Sequence, residues 1–390
     1  MRQDDSKLIF SITDTIDNIP KSDWDRLFGK DCIEGWGFHK TLEESKIQKF
    51  SFGYALIKRN EALCAIIPFF INDFSFATII QGPLQKLILF VQKFWRRFLL
   101  TRIIFVGNPL NEKLRIGVSI DENINEVMKK VVNGLSSFSA KTGASAMLFY
   151  NLTEGQKDIA CALKQNGLLC MENFPNTVLE IKAKSLEDFI QNLGSSTRKD
   201  LRRKLRKTAS LATLRTEVLT DINAIQNELY KLYACNFEES DVHFETLTPE
   251  FFLNIQKNMP ESARFFITRA DKEIIAFNLC LVKDNILIDK VIGMDKKVSR
   301  VYSLYYTTFC ENIDWCIRNG IRYYCLGITD YHPKLRLGAK LIPLYIYVKL
   351  FHPFLRLFGK PLVRFIQPRN FDPTLKNLEE NKLILREELL

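Results

Sequence analysis

An order of elements that occurs twice is what most limits the fold of this chain. In the first half, residues 54–57 and 62–71 are β-rich runs joined by Lys58-Arg59-Asn60-Glu61, the pattern of an antiparallel hairpin. A short strand-like run at 8–13 precedes them, and another strand at 101–106 ends in Gly107-Asn108-Pro109. A helix over about 122–139 follows, with Ile124, Val127, Met128, Val131 and Leu135 on one face. A strand at 144–150 and a short helix at 159–164 complete the unit. The second half repeats the order. Three strands, 264–268, 274–282 and 286–293, are separated by the turns Asp271-Lys272 and Asp284-Asn285. Then come a helix over 301–318, stopped by Asn319-Gly320, and strands at 321–326 and 344–348. Before these, Thr248-Pro249-Glu250 opens a helix with a hydroxyl cap, a proline in the first turn and an acid near the positive dipole end. The two units share an architecture and no residue-level repeat. The junction is expected near 166–176, giving units at 1–170 and 171–348 and a basic, aromatic tail at 349–390.

Composition narrows the partners. The 390 residues carry 55 Lys plus Arg against 45 Asp plus Glu, a net charge of +10, which suits an anionic partner. Nine cysteines, without a C-x-x-C, stand mostly in apolar surroundings and read as free thiols in a reducing compartment. Four scattered histidines offer no metal-ligand spacing, so no metal is expected. The start of the chain lacks the apolar core of a signal peptide. The longest uncharged runs, 62–72 and 74–85, fall short of the ~18–20 apolar residues of a spanning helix. A cytoplasmic protein is expected.

Three segments point to chemistry. Seven of the ten residues from Arg198 to Lys207 are basic, and Thr197 with Asp200 forms a T-x-x-D pattern, so a basic helix is expected over 197–209. Such a helix repels itself unless anions compensate it. Arg198, Arg202, Arg203 and Arg206 are candidate phosphate ligands, because guanidinium forks match phosphate geometry. The loop Gly293-Met294-Asp295-Lys296-Lys297-Val298-Ser299-Arg300 joins a strand to a helix, where free backbone N–H groups favour anions. The third segment runs from Gly327 to Gly338 and holds Asp330, His332, Lys334 and Arg336. If it is extended, Asp330 and His332 point the same way, the acid raising the imidazole pKa.

These segments, in this order, resemble the FemAB-like, peptidoglycan-biosynthesis branch of the GNAT acyltransferase superfamily. The resemblance rests on 185–190 leading into Thr197-Arg198-Lys199-Asp200-Leu201-Arg202-Arg203-Lys204, on Thr248-Pro249-Glu250-Phe251-Phe252, and on Gly293-x-Asp295 before Tyr302 to Tyr306. It rests also on Gly327 before Lys334-x-x-x-Gly338, and in the first half on 37–44 and Val106-Gly107-Asn108-Pro109. It spans about residues 30–348. It implies an α/β fold with a mixed sheet, built as two tandem GNAT-like domains. It implies transfer of an acyl or aminoacyl group to an amine or hydroxyl of a cell-wall or lipid-linked acceptor. The donor would be a co-substrate bearing phosphates, acyl-CoA or aminoacyl-tRNA, with no tightly bound cofactor. Gly293, Lys296, Lys297, Ser299 and Arg300 map to the donor-binding turn. Asp330, His332 and Tyr306 are the expected proton-handling residues, with Tyr302, Lys334 and Arg336 beside the basic helix as substrate ligands. The sequence has neither the glycine-spaced loop of CoA-using members nor the heptad insertion of tRNA-using ones, so both donors stay open. A non-catalytic protein that keeps the fold and binds an anionic lipid, a glycan precursor or RNA is the rival reading; DNA is not expected.

Residues 86–100 place Leu87, Val91, Phe94, Trp95 and Phe98 on one helical face among cations, and 331–371 contains no acid. Such aromatic, basic segments suit a membrane interface, and peripheral association through 85–100 and 349–369 is expected.

Overall fold

A computed structural model of the chain describes residues 7–30, 32–47, 50–75, 100–238, 246–351, 367–370 and 372–376. The two segments expected to meet a membrane lie almost wholly outside these.

The described strands are β1 (Ile9–Thr13), β2 (Ser51–Arg59), β3 (Ala62–Ser75), β4 (Leu100–Val106), β5 (Gly117–Val118), β6 (Ala146–Thr153), β7 (Leu169–Glu180), β8 (Leu214–Leu219), β9 (Ala263–Ala270), β10 (Glu273–Lys283), β11 (Ile286–Met294), β12 (Tyr323–Gly327) and β13 (Lys340–Leu350). They form one 13-stranded sheet in the order β1-β2-β3-β4-β6-β13-β7-β12-β11-β10-β9-β8, with β5 on β3. The order reads the same from either edge. β4 and β6 are parallel and so are β11 and β12, while the other pairs are antiparallel. At the centre the last strands of the two series have changed places: β13 lies against β6, and β7 against β12.

The helices are α1 (Lys21–Phe28), α2 (Trp36–Glu44), α3 (Ile124–Thr142), α4 (Lys157–Gln165), α5 (Leu186–Gln191), α6 (Ser195–Leu211), α7 (Gln226–Glu238), α8 (Pro249–Asn258), α9 (Lys296–Ser299), α10 (Leu304–Arg318), α11 (Tyr331–Arg336) and α12 (Pro373–Lys376). In α3, Asn123 caps the start by accepting from the amides of Asn125 and Glu126, and Gly143 in the left-handed region ends it. Its buried stripe, Val127, Met128, Val131, Val132 and Leu135, covers the first-half sheet. α10 covers the second half through Phe309, Cys310, Ile313 and Cys316. A third core, centred on Phe38, Phe251, Phe252 and Phe277, joins the halves; each such ring stabilises by roughly 1.5–3 kcal/mol. There α2 crosses α8 so closely that a Cβ on Gly37 would stand 2.5 Å from the carbonyl oxygen of Asn258. Thr248 Oγ1 donates to Ser45 O, and Asn258 Nδ2 to Glu44.

Most of the segment 166–176, where the junction between the units is expected, is strand, and residue 170 lies inside β7. Pro175 is tolerated there because β7 bulges between Asn173 and Asn176. Three expectations are corrected. The basic helix begins at Ser195 after Gly194, without a side-chain cap, so Thr197 is an interior residue and Asp200 instead binds Arg203 and Lys204. The helix expected from 301 begins at Leu304, after the one-turn α9 and a turn. The segment 327–338 is not extended: α11 occupies its middle, and Pro333 fits because it sits in the first turn.

Candidate active site

Parallel strands β11 and β12 pair at only three positions, Ile286–Ile288 with Tyr323–Cys325. Both then bulge. On β11, Asp289 and Val291 face consecutive residues of β10, so Lys290 is the extra residue. On β12, Cys325 and Gly327 face consecutive residues of β7, so Leu326 is extra. A bulge adds twist and bends its strand. Two bulges just past the last shared pair split the sheet into a fork, and they leave the carbonyls of Leu326 and Gly327 free for side chains.

Lys334 takes them. Its side chain is buried, and Nζ donates to Leu326 O and, at 3.4 Å, to Gly327 O. Thr177 Oγ1 also donates to Gly327 O, at 2.6 Å. Asp289, the first β11 residue beyond the paired positions, accepts at Oδ2 from Tyr324 Oη at 3.0 Å and from Asn278 Nδ2 at 2.8 Å. Asn312 Nδ2 donates to the same tyrosine oxygen at 2.7 Å. Burial dominates the electrostatics. It raises the Asp289 carboxyl to about 7 against the opposing pull of Tyr324, Lys334 and Asn278. It lowers the Lys334 ammonium to about 8 despite Asp289, Asp330 and Glu112. Burial, then the charges of Asp330 and Asp289, push the Tyr305 phenol up, so it stays protonated at neutral pH.

The basic helix α6 runs beside this fork. Lys204 Nζ lies 3.6 Å above the Tyr306 ring, Thr208 Oγ1 donates to Tyr302 O, and Arg336 approaches Asp200 at 3.9 Å. Tyr302, Tyr306, Lys334, Arg336 and Asp330 are thereby gathered around one end of the second-half sheet. Asp330 caps α11 from the left-handed region, at φ 52°, and is exposed, as is His332. The helical turn between them removes the shared direction that an extended segment would give. The four arginines are spread out. Arg198 donates to Gln191 O and Leu193 O; Arg202 binds Glu187 and Gln191; Arg203 pairs with Asp200; Arg206 is exposed. In the turn expected to meet the donor, Lys296 donates to Cys235 O, while Lys297 and Arg300 are exposed. Ser299 faces Met294 Sδ at 4.0 Å. Gly293 is a packing glycine: a Cβ there would meet the Phe277 ring at 2.3 Å.

On the other face of β11 lies a charged cluster that the sequence reading missed. The bulge turns Lys290 toward the first half, where Nζ donates to Glu34, to Leu110 O at 2.7 Å and to Glu112 at 3.3 Å. The Lys290 and Glu34 side chains are each 1% exposed. Burial alone would raise the Glu34 carboxyl, but Lys290 and Arg115 outweigh it and hold it below the usual carboxylate range. Asn108 Nδ2 also donates to Glu34, at 3.3 Å, and Asn176 Nδ2 to Glu112 at 2.7 Å. Two adjacent charges in the apolar run Ile286-Leu287-Ile288-Asp289-Lys290-Val291-Ile292 were the available signal; Glu34 had none.

The first half has its own fork, where β4 and β6 part after Val106 and Phe149. Asn151, two residues on, has φ 63°, matching Gly327 at φ 76° in the second half. Here the chain fills the gap itself. Leu114 N donates to Asn151 O at 2.8 Å, Asn151 Nδ2 to Asn111 O at 2.7 Å, and Gln156 Nε2 to Leu114 O at 2.9 Å.

Among the described residues, no helix is long and apolar enough to cross a membrane, and no cluster of three His, Cys, Asp or Glu could hold a metal ion.

Comparison with solved structures shows the fold shared. A crystal structure of FemX aligns with a TM-score of 0.53 at 10% identity, covering 89% of this chain and 99% of that one. A tandem GNAT protein from the clavulanic acid biosynthesis pathway gives 0.53 at 9% identity, over 89% and 99%. The C-terminal domain of a putative lysylphosphatidylglycerol synthetase from Agrobacterium fabrum gives 0.52 at 12%, over 88% and 96%. The fold is therefore the mixed α/β, tandem GNAT type that the sequence implied. No curated protein matches the chain by sequence. A family model does: the FemAB-like family, described as peptidoglycan biosynthesis/recognition, matches residues 106–349, more than half of the chain and both forks, and the protein belongs to that family.

Proposed function

We propose that the protein is an acyltransferase. It moves an acyl or aminoacyl group from a phosphate-bearing donor to an amine or hydroxyl of a cell-wall or lipid-linked acceptor, using the second-half fork as its reaction centre. One observation carries this reading: at that fork a buried lysine, Lys334, binds the freed carbonyls of the separated strands, and the basic helix α6 runs beside it, Asp200 of α6 lying 3.9 Å from Arg336 of the lysine's own helix. Acyl transfer asks little covalent help from a protein. It needs the donor carbonyl and acceptor held together, and charge placed where the oxyanion develops. Lys334 supplies that charge. Lys297, Arg300, Arg206 and Arg336 hold donor phosphates, with Lys296 and Ser299 behind them and Tyr302 shaping the wall. Arg198, Arg202 and Arg203 extend the positive surface. Asp330 and Tyr306 handle protons at the mouth, and exposed His332 passes them to water.

Gly293 is occupied by packing, so donor phosphates meet side-chain cations here rather than a glycine cradle. That favours aminoacyl-tRNA over acyl-CoA. The two units, 1–170 and 171–348, are proposed as a duplication whose last strands have exchanged, and peripheral attachment to an anionic membrane through 85–100 and 349–369 keeps the acceptor near.

Calorimetry with acetyl-CoA, CoA and aminoacyl-tRNA, followed by transfer of a labelled acyl group to lipid-linked peptidoglycan precursor, tests the reading. Donor binding with transfer supports it. Binding without transfer supports the non-catalytic alternative. Flotation with anionic vesicles that ignores lipid charge and salt counts against the membrane proposal.

A further inference from the structure

We propose that Asp289 is the proton acceptor of the transfer centre, taking the proton that the attacking amine or hydroxyl must lose; this rests on the acyltransferase reading above. The geometry is that of a base held ready. Asp289 stands at the crotch of the fork, one residue beyond the last paired position of β11 and beside the bulge. Tyr324 and Asn278 both donate to Oδ2, and Cys280, the cross-strand partner, bonds the carboxyl as well. Asp289 is nonetheless only partly buried. The carboxyl is therefore held in place at the parting of the strands without being sealed from it.

The anchoring groups suit a carboxyl that changes state. Asn278 and Asn312 are 2% and 1% exposed, yet the side-chain oxygen of each is buried without a partner. An amide can present N–H to a carboxylate or, turned over, its oxygen to a carboxylic acid. Asn278 can serve both forms of Asp289 without moving its backbone. The charged and titratable groups facing it come from every packed element: Tyr324 on β12, Cys280 on β10, Tyr305 on α10, Lys334 on α11, and Glu112 from the first half. Only Lys334 is a cation, and burial outweighs it, so the carboxyl titrates near neutrality, where a base is most effective.

In the step, the acceptor's lone pair forms a bond to the donor carbonyl carbon, and the carbonyl electrons move to oxygen. Their return breaks the bond to the leaving oxygen or sulfur, which takes a proton from water. The proton lost by the acceptor goes to the Asp289 carboxylate and then to solvent.

Two measurements test this. The first needs no substrate: carboxyl-carbon NMR of protein labelled at aspartate, assigned by the resonance lost in Asp289→Asn. A midpoint between roughly 6 and 8 is expected; a carboxylate already ionised at pH 5 overturns the proposal. The second is single-turnover transfer with whichever of acetyl-CoA or aminoacyl-tRNA binds, using lipid-linked precursor as acceptor. Asp289→Asn should lower the rate roughly 10²–10⁴-fold, abolish the acid limb of the pH profile and leave donor affinity unchanged. Asp289→Glu should restore part of the rate. An acid limb that survives in Asp289→Asn overturns the proposal. If the wild type transfers from neither donor, the acyltransferase reading fails, and the NMR midpoint still decides whether Asp289 is a base at neutral pH.

Discussion

The two forks have the same strand pattern and different contents. In each, a pair of parallel strands parts, and two residues later the chain adopts positive φ, at Asn151 in one and Gly327 in the other. In the first half, the loop after β4 folds back and satisfies the freed backbone from within: Leu114 N reaches Asn151 O, and the Asn151 side chain ties Asn111 to Asn173. In the second half β11 runs on, and the freed carbonyls are met by a lysine and a threonine. A fork that is filled by amides and loop has become structure. One that is met by an ammonium, a carboxyl and a phenol has kept the groups that chemistry needs. The same strand pattern thus makes two openings, and the loop after β4 fills one of them.

Substitutions in and between the forks would break or sharpen that contrast. The largest effect is expected between the forks. Glu34→Ala strands the Lys290 ammonium in the interior, and removing one partner of a buried pair costs about 3–5 kcal/mol; urea titration should show it. The same cluster has an acid signature. Because the folded pKa of Glu34 lies below its ordinary value, its stabilisation is present above pH ~4.5 and lost as pH falls through the folded value. Asp289 has the opposite sign: its raised pKa makes wild-type stability fall between about pH 4 and 7, so Asp289→Asn should gain on wild type over that window.

Next, Lys334→Ala should lower the transfer rate roughly 10²–10³-fold. It should also cost about 1–3 kcal/mol of stability, because it leaves buried carbonyls unpaired; a rate loss no larger than that of an equally destabilised control would move the reaction centre elsewhere. Third, Asn151→Ala in the filled fork should cost about 1–3 kcal/mol through left-handed strain and lost hydrogen bonds, with transfer per folded molecule unchanged. Asn151→Gly should cost less, as it relieves the strain that Gly327 never carries. A large rate loss there would make the first fork a second centre. The smallest effect is expected from Arg203→Ala, whose exposed pair with Asp200 is worth under about 0.5 kcal/mol. His332→Ala should slow transfer less than tenfold, measured at saturating donor.

Much of the frame was legible in the sequence because it rests on local signals. The α3 stripe, the Thr-Pro start of α8 and the hairpin turns at Asp271 and Asp284, both at φ 52°, follow from side-chain chemistry within a few residues. The first two thirds of β7 were not legible, since Asn173, Pro175 and Asn176 look like a linker until a neighbouring strand supplies the pairing. α11 was misjudged because six residues are too few for periodicity, although an Asp followed by a proline in the first turn was a usable start signal. The site was legible as a set of segments, not as a geometry. Lys334 reads as a surface loop cation until Leu326 and Gly327 are seen to turn their carbonyls toward it. Glu34 and Lys290 are 256 residues apart, and nothing local announces their pairing.

The exchanged strands at the centre of the sheet bear on how such a chain can be cut, copied or inherited. β7 belongs by sequence to the first series and β13 to the second, yet each lies between two strands of the other series. A fragment ending after β7 would lack both sheet neighbours of that strand, β13 and β12, and would leave the edge of β6 unpaired. Such an edge, with its row of unpaired amides, invites any free strand, including one from another copy. On the proposed duplication, a half-length chain could build this sheet as a strand-swapped pair, and joining the two halves in one chain would turn a dimer's concentration dependence into a fixed intramolecular contact. In such a chain one fork alone would have to work, leaving the other free to close.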